Sequence, residues 1–376
     1  MDFIPHFFLF ITAVYIIVAL FFLFGLFHLK KQPKTNKTPF ISIVIAARNE
    51  AEYIGECLAS LKKQTYPSDR FEILVIDDDS KDHTSQIVAS AQMSNLQYLA
   101  VGDLFPEMAA KKKPMSVGIH HARGEWILTT DADCTVPPTW IASIASYMTP
   151  ETGIVIGFSQ LKTATETLTF FERLQAFDFL ALMAAAAGAA GAGFPLAASG
   201  QNFAYRKDLF DKVGGFKKIS HRPSGDDVLL LQLLQKSWHG RTAFASDSEA
   251  FVNTWRPETP SSFWQQRKRW ASNAAYQVRL NFTFFLYIII VFFINALLLS
   301  SFLFSTIYGN YTLALICWCA KTLSDLLLIW KGAYTFKRTE LLKILPLWEL
   351  LQIPYTILIG LAGTVSGFTW KNRHHQ

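Results

Sequence analysis

From Phe7 to Leu29 the chain runs almost without interruption through apolar residues, with no Asp, Glu, Lys or Arg. A helix needs about 20 residues to cross the hydrocarbon core of a bilayer, so this run is long enough to span one. Its basic residues, Lys30, Lys31, Lys34 and Lys37, come after the apolar stretch. A cleaved leader has the reverse order, with positive charge before the apolar run and small residues after it, so the segment reads as an anchor. The mean hydropathy of +0.22 and an apolar content of 51% are too high for an ordinary soluble enzyme of 376 residues. Part of the protein is therefore expected to be solvated by lipid.

Three more spans are expected near the C-terminus, at about Phe282 to Leu303, Thr312 to Trp330 and Ile344 to Phe368. The link from Phe304 to Tyr311 has no charge, whereas the next one carries Lys331, Lys337, Arg338 and Lys343. Positive charge thus places the intervening polar domain on the cytoplasmic side of a bacterial-type plasma membrane. The expected division is an anchor over 1–30, a cytoplasmic domain over 39–278 and a helical membrane region over 281–370. Four spans leave Lys371 and Arg373 on the wrong face. The net charge of +6 lies mostly in residues flanking the spans, which points to membrane orientation and lipid headgroups rather than nucleic acid. As ionisable groups that could mark a pathway, the spans offer little beyond Asp325 and Glu349, which read as lying near span ends. One further apolar stretch, "FLALMAAAAGAAGAGFPLAAS" (Phe179 to Ser199), is rich in Ala and Gly and reads as an interfacial or tightly packed helix ending in a Gly-rich turn. Cys57, Cys134, Cys317 and Cys319 have no metal-binding spacing and are expected to be reduced and buried.

Inside the polar domain, strand patterns alternate with helical ones. "PFISIVIAA" (Pro39 to Ala47) is a β-branched run followed by Arg48, Asn49, Glu50 and a helical pattern through Ile54, Leu58 and Leu61. Phe71 to Ile76 forms a second apolar run, ending in Asp77, Asp78 and Asp79, with a helix from about Thr84 to Gln92. A third unit has a helix over Met115 to Ala122 and a strand over Trp126 to Thr130, ending in Asp131-Ala132-Asp133. Such alternation implies an α/β fold with a mainly parallel central sheet, whose ligands bind beyond the carboxyl ends of the strands.

Three successive strands thus deliver Glu50, Asp77 with Asp78, and Asp131 with Asp133 to one edge. Helix caps account for Asp79 and Asp82 but not for the whole set. The first strand is followed neither by a phosphate-cradling Gly-x-x-x-x-Gly-Lys loop nor by Gly-x-Gly-x-x-Gly. A carboxylate-rich edge repels a phosphorylated ligand unless a cation intervenes. An Asp-x-Asp turn can supply hard oxygens to Mg²⁺ or Mn²⁺, with diphosphate oxygens completing the shell.

Six stretches in order, "SIVIAARNE", "VIDDDSKD", "AKKKPMSVGIHHARGEWILTTDADC", "SGQNFAYRKDLFDKVGGF", "SGDDVLL" and "QRKRW", resemble those of the membrane-bound family 2 glycosyltransferases, whose nucleotide-binding fold is called GT-A. The arrangement of one span before the domain and several after it is also similar to that family's. The resemblance implies that Glu50 and Asp78, with Asp77, hold the nucleoside and that Lys111 lies near the nucleotide. It assigns Asp131 and Asp133 to the metal, with Asp133 the direct ligand. It places the general base at Asp227, with Asp226 second. Gln266, Arg269 and Trp270 match the Gln-x-x-Arg-Trp motif, associated with the diphosphate and the acceptor, and Gly200 and Asn202 are expected in a turn near the acceptor.

Elementary chemistry is consistent with these roles. A base takes the proton of the acceptor hydroxyl as it attacks the anomeric carbon, and cationic groups stabilise the departing diphosphate. Direct attack from the opposite face inverts the anomeric centre. A helix start before "VLLLQLL" would also account for one of the two adjacent aspartates. Likewise a basic juxtamembrane helix snorkelling at the surface would account for Arg267 and Lys268, but not for Trp270 beside Arg269 with Gln266 one turn earlier. The chain departs from the family pattern at Asp79, where Gly is usual, at Pro114-Met115-Ser116, and in having Gly-Asp-Asp before the helix. The expected reaction is metal-dependent transfer from a nucleotide-diphosphate sugar, with UDP favoured, to a lipid or glycan. A processive polysaccharide synthase and a non-catalytic nucleotide-sensing transporter or scaffold are the alternatives.

Overall fold

The computed structural model describes residues 3–162, 169–255, 257–365, 367–370 and 373–375. The chain divides into two compact units, one made of Met1–Phe27, Thr167–Ala192 and Pro257–Gln376, the other of His28–Glu166 and Gly193–Arg256. Residues 169–192 and 257–278, expected within the polar domain, therefore group with the apolar helices.

The polar unit is built on a seven-stranded sheet. Its strands are β1 (Ile41–Ala47), β2 (Phe71–Asp77), β3 (Leu96–Ala100), β4 (Trp126–Thr129), β6 (Thr152–Gly157), β8 (Phe203–Arg206) and β9 (Arg241–Ala245), in the order β3-β2-β1-β4-β8-β6-β9. The first four are mutually parallel, β8 runs antiparallel to both β4 and β6, and β9 is parallel to β6. β1 and β2 are continuous apolar runs because both faces of the sheet are covered, and Ile43, Val44, Ile45, Ile73, Leu74 and Val75 are all fully buried. A smaller sheet joins β5 (Cys134–Thr135), β10 (Val252–Thr254) and β7 (Ser159–Leu161).

Helices α2 (Ile54–Lys62), α3 (Thr84–Ser90), α4 (Lys112–His121), α5 (Trp140–Ser146), α7 (Lys207–Lys212) and α8 (Val228–Ser237) belong to this unit. On α2 the expected spacing holds, for Ile54, Leu58 and Leu61 are buried, and Cys57 joins them. Gly118 lets α4 lie close on the sheet, since a Cβ there would overlap side-chain atoms of Ile76 and Val44.

The apolar unit contains α1 (Phe3–His28), α6 (Phe170–Gly191), α9 (Pro260–Ala271), α10 (Ala274–Leu280), α11 (Phe282–Tyr308), α12 (Thr312–Thr335) and α13 (Leu345–Val365), followed by the two short strands β11 (Phe368–Trp370) and β12 (Arg373–His375). Among the described residues, five helices are long and apolar enough to cross a membrane, namely α1, α6, α11, α12 and the segment Thr339–Val365. α6 starts earlier than the apolar run suggests, because Thr169 and Glu172 form a capping box around its first turn. It is largely buried, and its small residues permit close helix approach. A Cβ on Gly188 would overlap the backbone of Phe22 on α1, and one on Gly332 of α12 would lie 2.5 Å from the Cβ of Ala184.

The middle of α12 departs from the sequence reading. Lys321 and Asp325 lie well inside the helix and are buried with Glu349 of α13. Lys321 Nζ donates to Asp325 at 2.6 Å and to Glu349 at 3.0 Å, and Tyr15 of α1 donates to Asp325 at 2.6 Å. Cys317 is buried as expected, but Cys319 is exposed.

Candidate active site

Because β1, β2 and β4 are parallel neighbours, with Ala47 opposite Asp77 and Val44 opposite Thr129, their carboxyl ends share one edge of the sheet. Glu50, Asp77, Asp78, Asp131 and Asp133 all leave the sheet at that edge. Asn49 and Asp79, in the turns after β1 and β2, have φ of 52° and 62°. That left-handed conformation accounts for the glycine usual at the second position, and a short polar side chain such as Asp79 can also adopt it.

The carboxylates there do different work. Asp77 accepts from the backbone N–H of Ser80 at 3.0 Å, from its hydroxyl at 2.5 Å and from Tyr98 at 2.5 Å, so much of its capacity goes to its own turn. Burial, and then the bond to Asp77, push the Tyr98 hydroxyl up to about 12. Arg48 donates to the Asp78 carbonyl at 2.5 Å and lies 3.4 Å from its carboxylate. Asp82 accepts from the backbone N–H groups of Thr84 at 3.1 Å and Ala51 at 3.0 Å, tying the turns after β1 and β2 together. Burial works the other way, but the Thr84 hydroxyl, donating at 2.5 Å, together with these N–H groups holds Asp82 below the usual carboxylate range. Asp79 pairs with exposed Lys81 at 2.6 Å.

The core of the site is a bridge between two motifs. Lys111, just before α4, pairs with Asp131 and lies 3.3 Å from Asp226. Burial alone would lower its pKa, yet Asp131, Asp226 and Asp227 together hold Lys111 well above the usual lysine range. Asp131, Asp133 and Cys134 bring candidate ligand atoms within 4.8 Å of one another. Cys134 Sγ lies 3.6 Å from Asp133 Oδ1, and burial, followed by the carboxylates of Asp133 and Asp131, raises the Cys134 thiol well above its ordinary value. Asp131 and Asp133 could offer hard oxygens to a cation here, whereas a thiol kept protonated, as at Cys134, is a poor ligand.

Asp227 makes the helix start that the sequence offered as one reading of the aspartate pair. It caps α8 by accepting from Val228 N at 2.5 Å, and its other oxygen accepts from Gly200 N at 3.1 Å. Burial, then the neighbouring Asp226, raise its pKa, while the two N–H groups and Lys111 oppose the rise. Lys112, unnoticed in the sequence, is fully buried and donates to the carbonyls of Arg222 at 2.6 Å and Ser224 at 2.8 Å, fixing the loop that presents the aspartates.

Asn202 does not line this site. It is fully buried, accepts from Trp140 Nε1 at 3.0 Å, and donates to the carbonyls of Phe158 at 2.9 Å and Ala250 at 2.7 Å. With these bonds made inside the protein, Asn202 is a core residue and not the acceptor contact expected of it.

Gln266, Arg269 and Trp270 sit together on α9 in the apolar unit. The two residues between them, expected to snorkel, are instead buried: Arg267 is 4% exposed and Lys268 is 8% exposed. Lys268 Nζ donates to the Gly367 carbonyl at 2.6 Å.

Residues 42–214 match the model of glycosyl transferase family 2. A probable glycosyltransferase of Bacillus subtilis, YdaM, is 29% identical over 259 residues, covering 66% of this chain and 58% of that protein. A beta-monoglucosyldiacylglycerol synthase of Synechocystis is 27% identical over 252 residues, covering 65% of this chain and 49% of that one. The chain therefore spans about half to three fifths of the length of these curated relatives. Among solved structures, a mannosyltransferase of Pyrobaculum calidifontis in complex with GDP-mannose and Mn²⁺ superposes with a TM-score of 0.59 at 17% identity, covering 93% of this chain and 99% of that one. At that identity the likeness is one of fold, and the fold is GT-A-like.

Proposed function

We propose that this membrane protein, a family 2 glycosyltransferase by the match over residues 42–214, transfers a sugar from a nucleoside-diphosphate donor to a lipid acceptor with inversion. The observation that carries this reading is the Lys111 bridge, which brings the Asp-x-Asp turn and the Asp226-Asp227 pair to one place. One pair of carboxylates suits a cation-bound diphosphate, the other suits proton abstraction.

Asp227 is the general base. Its raised pKa brings it closer to neutrality than a solvated carboxylate, which favours taking a proton from a hydroxyl at physiological pH. The two backbone N–H groups hold it in place for that task. Asp131 and Asp133 offer oxygen donors that fit Mg²⁺ or Mn²⁺, which when bound would stabilise charge on the leaving diphosphate. Lys111 pairs with Asp131 and supplies a second positive charge to the same place. Glu50 and Asp78 serve the nucleoside, and the Gln-x-x-Arg-Trp residues serve the diphosphate and acceptor; those assignments rest on the family resemblance.

A lipid acceptor is favoured over a growing polysaccharide by the number of helices available for crossing. Although α6 is apolar enough to span, β6 before it and β8 after it are neighbours in one sheet. A single crossing by α6 would put those strands on opposite sides of the membrane, and no other described helix lies between them. The spans are then α1, α11, α12 and α13, few for a chain-conducting pore, with the polar unit on the cytoplasmic side.

Full-length protein in detergent, supplied with a panel of sugar nucleotides, Mn²⁺ or Mg²⁺ and a membrane lipid extract, tests the reading. Release of nucleoside diphosphate with one donor, dependent on the metal and abolished by Asp227→Asn, supports it. Products longer than one or two sugars would favour a synthase. Nucleotide binding without turnover of any donor would favour a sensing role.

A further inference from the structure

The two variable positions of the Gln-x-x-Arg-Trp motif are the two buried residues of that stretch, so the motif is held from within. Arg267 donates through Nε to Asp178 Oδ2 of α6 at 2.7 Å, and its Nη2 lies 2.5 Å from the same oxygen. Arg267 and Asp178 are each 4% exposed. The Tyr355 side chain of α13 lies beside the pair and interacts with both partners. The same guanidinium reaches two motif residues. Its Nη1 donates to Gln266 Oε1 at 2.5 Å, and its Cζ lies over the ring of Trp270 at 4.2 Å from the centroid and over that of Phe263 at 4.5 Å.

We infer that Arg267 is a positioning residue of the transferase: anchored by Asp178 and Tyr355, it sets the side chains of Gln266 and Trp270. Arginine is suited to this because a planar fork can bond a carboxylate on one edge and stack against rings on its faces. Lysine at the same place would keep the charge and lose both the fork and the stacking surface. A buried ion pair is weak evidence for stability as such, since desolvation offsets the attraction. Here the guanidinium spends its remaining bonding capacity on two residues of one motif, which is what a positioning role requires. The functional part of this inference rests on the transferase reading, whereas the positioning part does not.

The experiment uses the full chain in detergent with Arg267→Lys, Asp178→Asn and the milder Tyr355→Phe. The first readout is the contribution of Trp270 to the near-ultraviolet circular dichroism, obtained by subtracting the spectrum of Trp270→Phe in each background. That contribution should be lost or inverted in Arg267→Lys and weakened in Tyr355→Phe. An unchanged contribution overturns the inference, and if Arg267→Lys does not fold, Tyr355→Phe decides. The second readout is steady-state transfer to membrane lipid extract, with UDP binding in Mn²⁺ measured separately. A misplaced positioning group costs on the order of a hundredfold or less, so kcat/KM for the acceptor should fall roughly ten- to a hundredfold while UDP affinity stays unchanged. Equal loss of UDP affinity and transfer, tracking a fall in Tm, would show a merely structural role and overturn it. If wild-type protein turns over no donor, the transferase reading fails, and the Trp270 difference spectrum still decides whether Arg267 positions the motif.

Discussion

Lys112 donates to the carbonyl of Ser224 at 2.8 Å, two residues before Asp226, while its neighbour Lys111 bonds the carboxylates themselves. Adjacent lysines thus fix both the backbone and the side chains of one site. Lys112→Met would leave the carbonyls of Arg222 and Ser224 without their buried donor. Each such group costs about 1–3 kcal/mol, so Tm should fall clearly and transfer activity with it. A Tm equal to wild type in thermal unfolding would sink this account of the loop.

Lys111→Met should move the pH dependence of transfer in a defined direction. Burial and Asp226 already raise Asp227, and Lys111 opposes them, so its loss raises Asp227 further. The base then ionises at higher pH, and the acid limb of the kcat/KM profile shifts upward. The sign for stability is the same. A carboxyl raised in the folded state contributes stability below its unfolded pKa and loses it as pH rises through the folded value, so that loss extends to higher pH in the variant. An acid limb that stays put or moves down would contradict the assignment of the base.

Much of the polar unit was legible from the chain because strand and helix periods are local. Ile41–Ala47 and Phe71–Asp77 announced themselves as β-branched runs, and their acidic ends followed from the parallel order. What escaped notice depends on partners far away in sequence. Nothing near Arg267 or Lys268 foretells that Asp178 and the Gly367 carbonyl would receive them, so ordinary surface basicity was the natural expectation. Asn202 lies in a stretch that resembles the family's acceptor region, yet Trp140, Phe158 and Ala250 occupy its amide. Lys112 was hidden among three lysines, and only the fold distinguishes the fully buried one from half-buried Lys111 and Lys113.

Close approach of α1 and α6 depends on glycine. A Cβ on Gly188 would overlap the carbonyl of Phe22, which is backbone and cannot swing aside. Gly188→Val should cost about 1–3 kcal/mol or more and reduce the yield of folded protein in membranes. Gly193 is a contrasting control, because its φ of 86° sets a conformational cost while a Cβ there meets nothing within 4 Å. Gly193→Ala should cost about 1 kcal/mol from backbone strain alone. Equal tolerance of both changes, read from Tm in detergent, would argue against the tight α1 and α6 packing.

The buried group of Lys321, Asp325 and Glu349 sets up a prediction in which one change is worse than three. Lys321 is the positive charge that the structure places between the two carboxylates, at 2.6 and 3.0 Å. Thr322 and Gln352 also donate to Glu349, at 3.3 and 2.9 Å, so its Oε2 is well served while Oε1 has no hydrogen-bond partner. Lys321→Met removes the charge that offsets both acids in an apolar setting, and breaking a buried pair in this way costs about 3–5 kcal/mol. Neutralising all three, as Lys321→Met with Asp325→Asn and Glu349→Gln, removes the unpaired charges as well and should recover most of the lost Tm. The double-mutant coupling between Lys321→Met and Asp325→Asn should accordingly be large and favourable. If the single and triple variants unfold at the same temperature, the group acts through shape rather than charge.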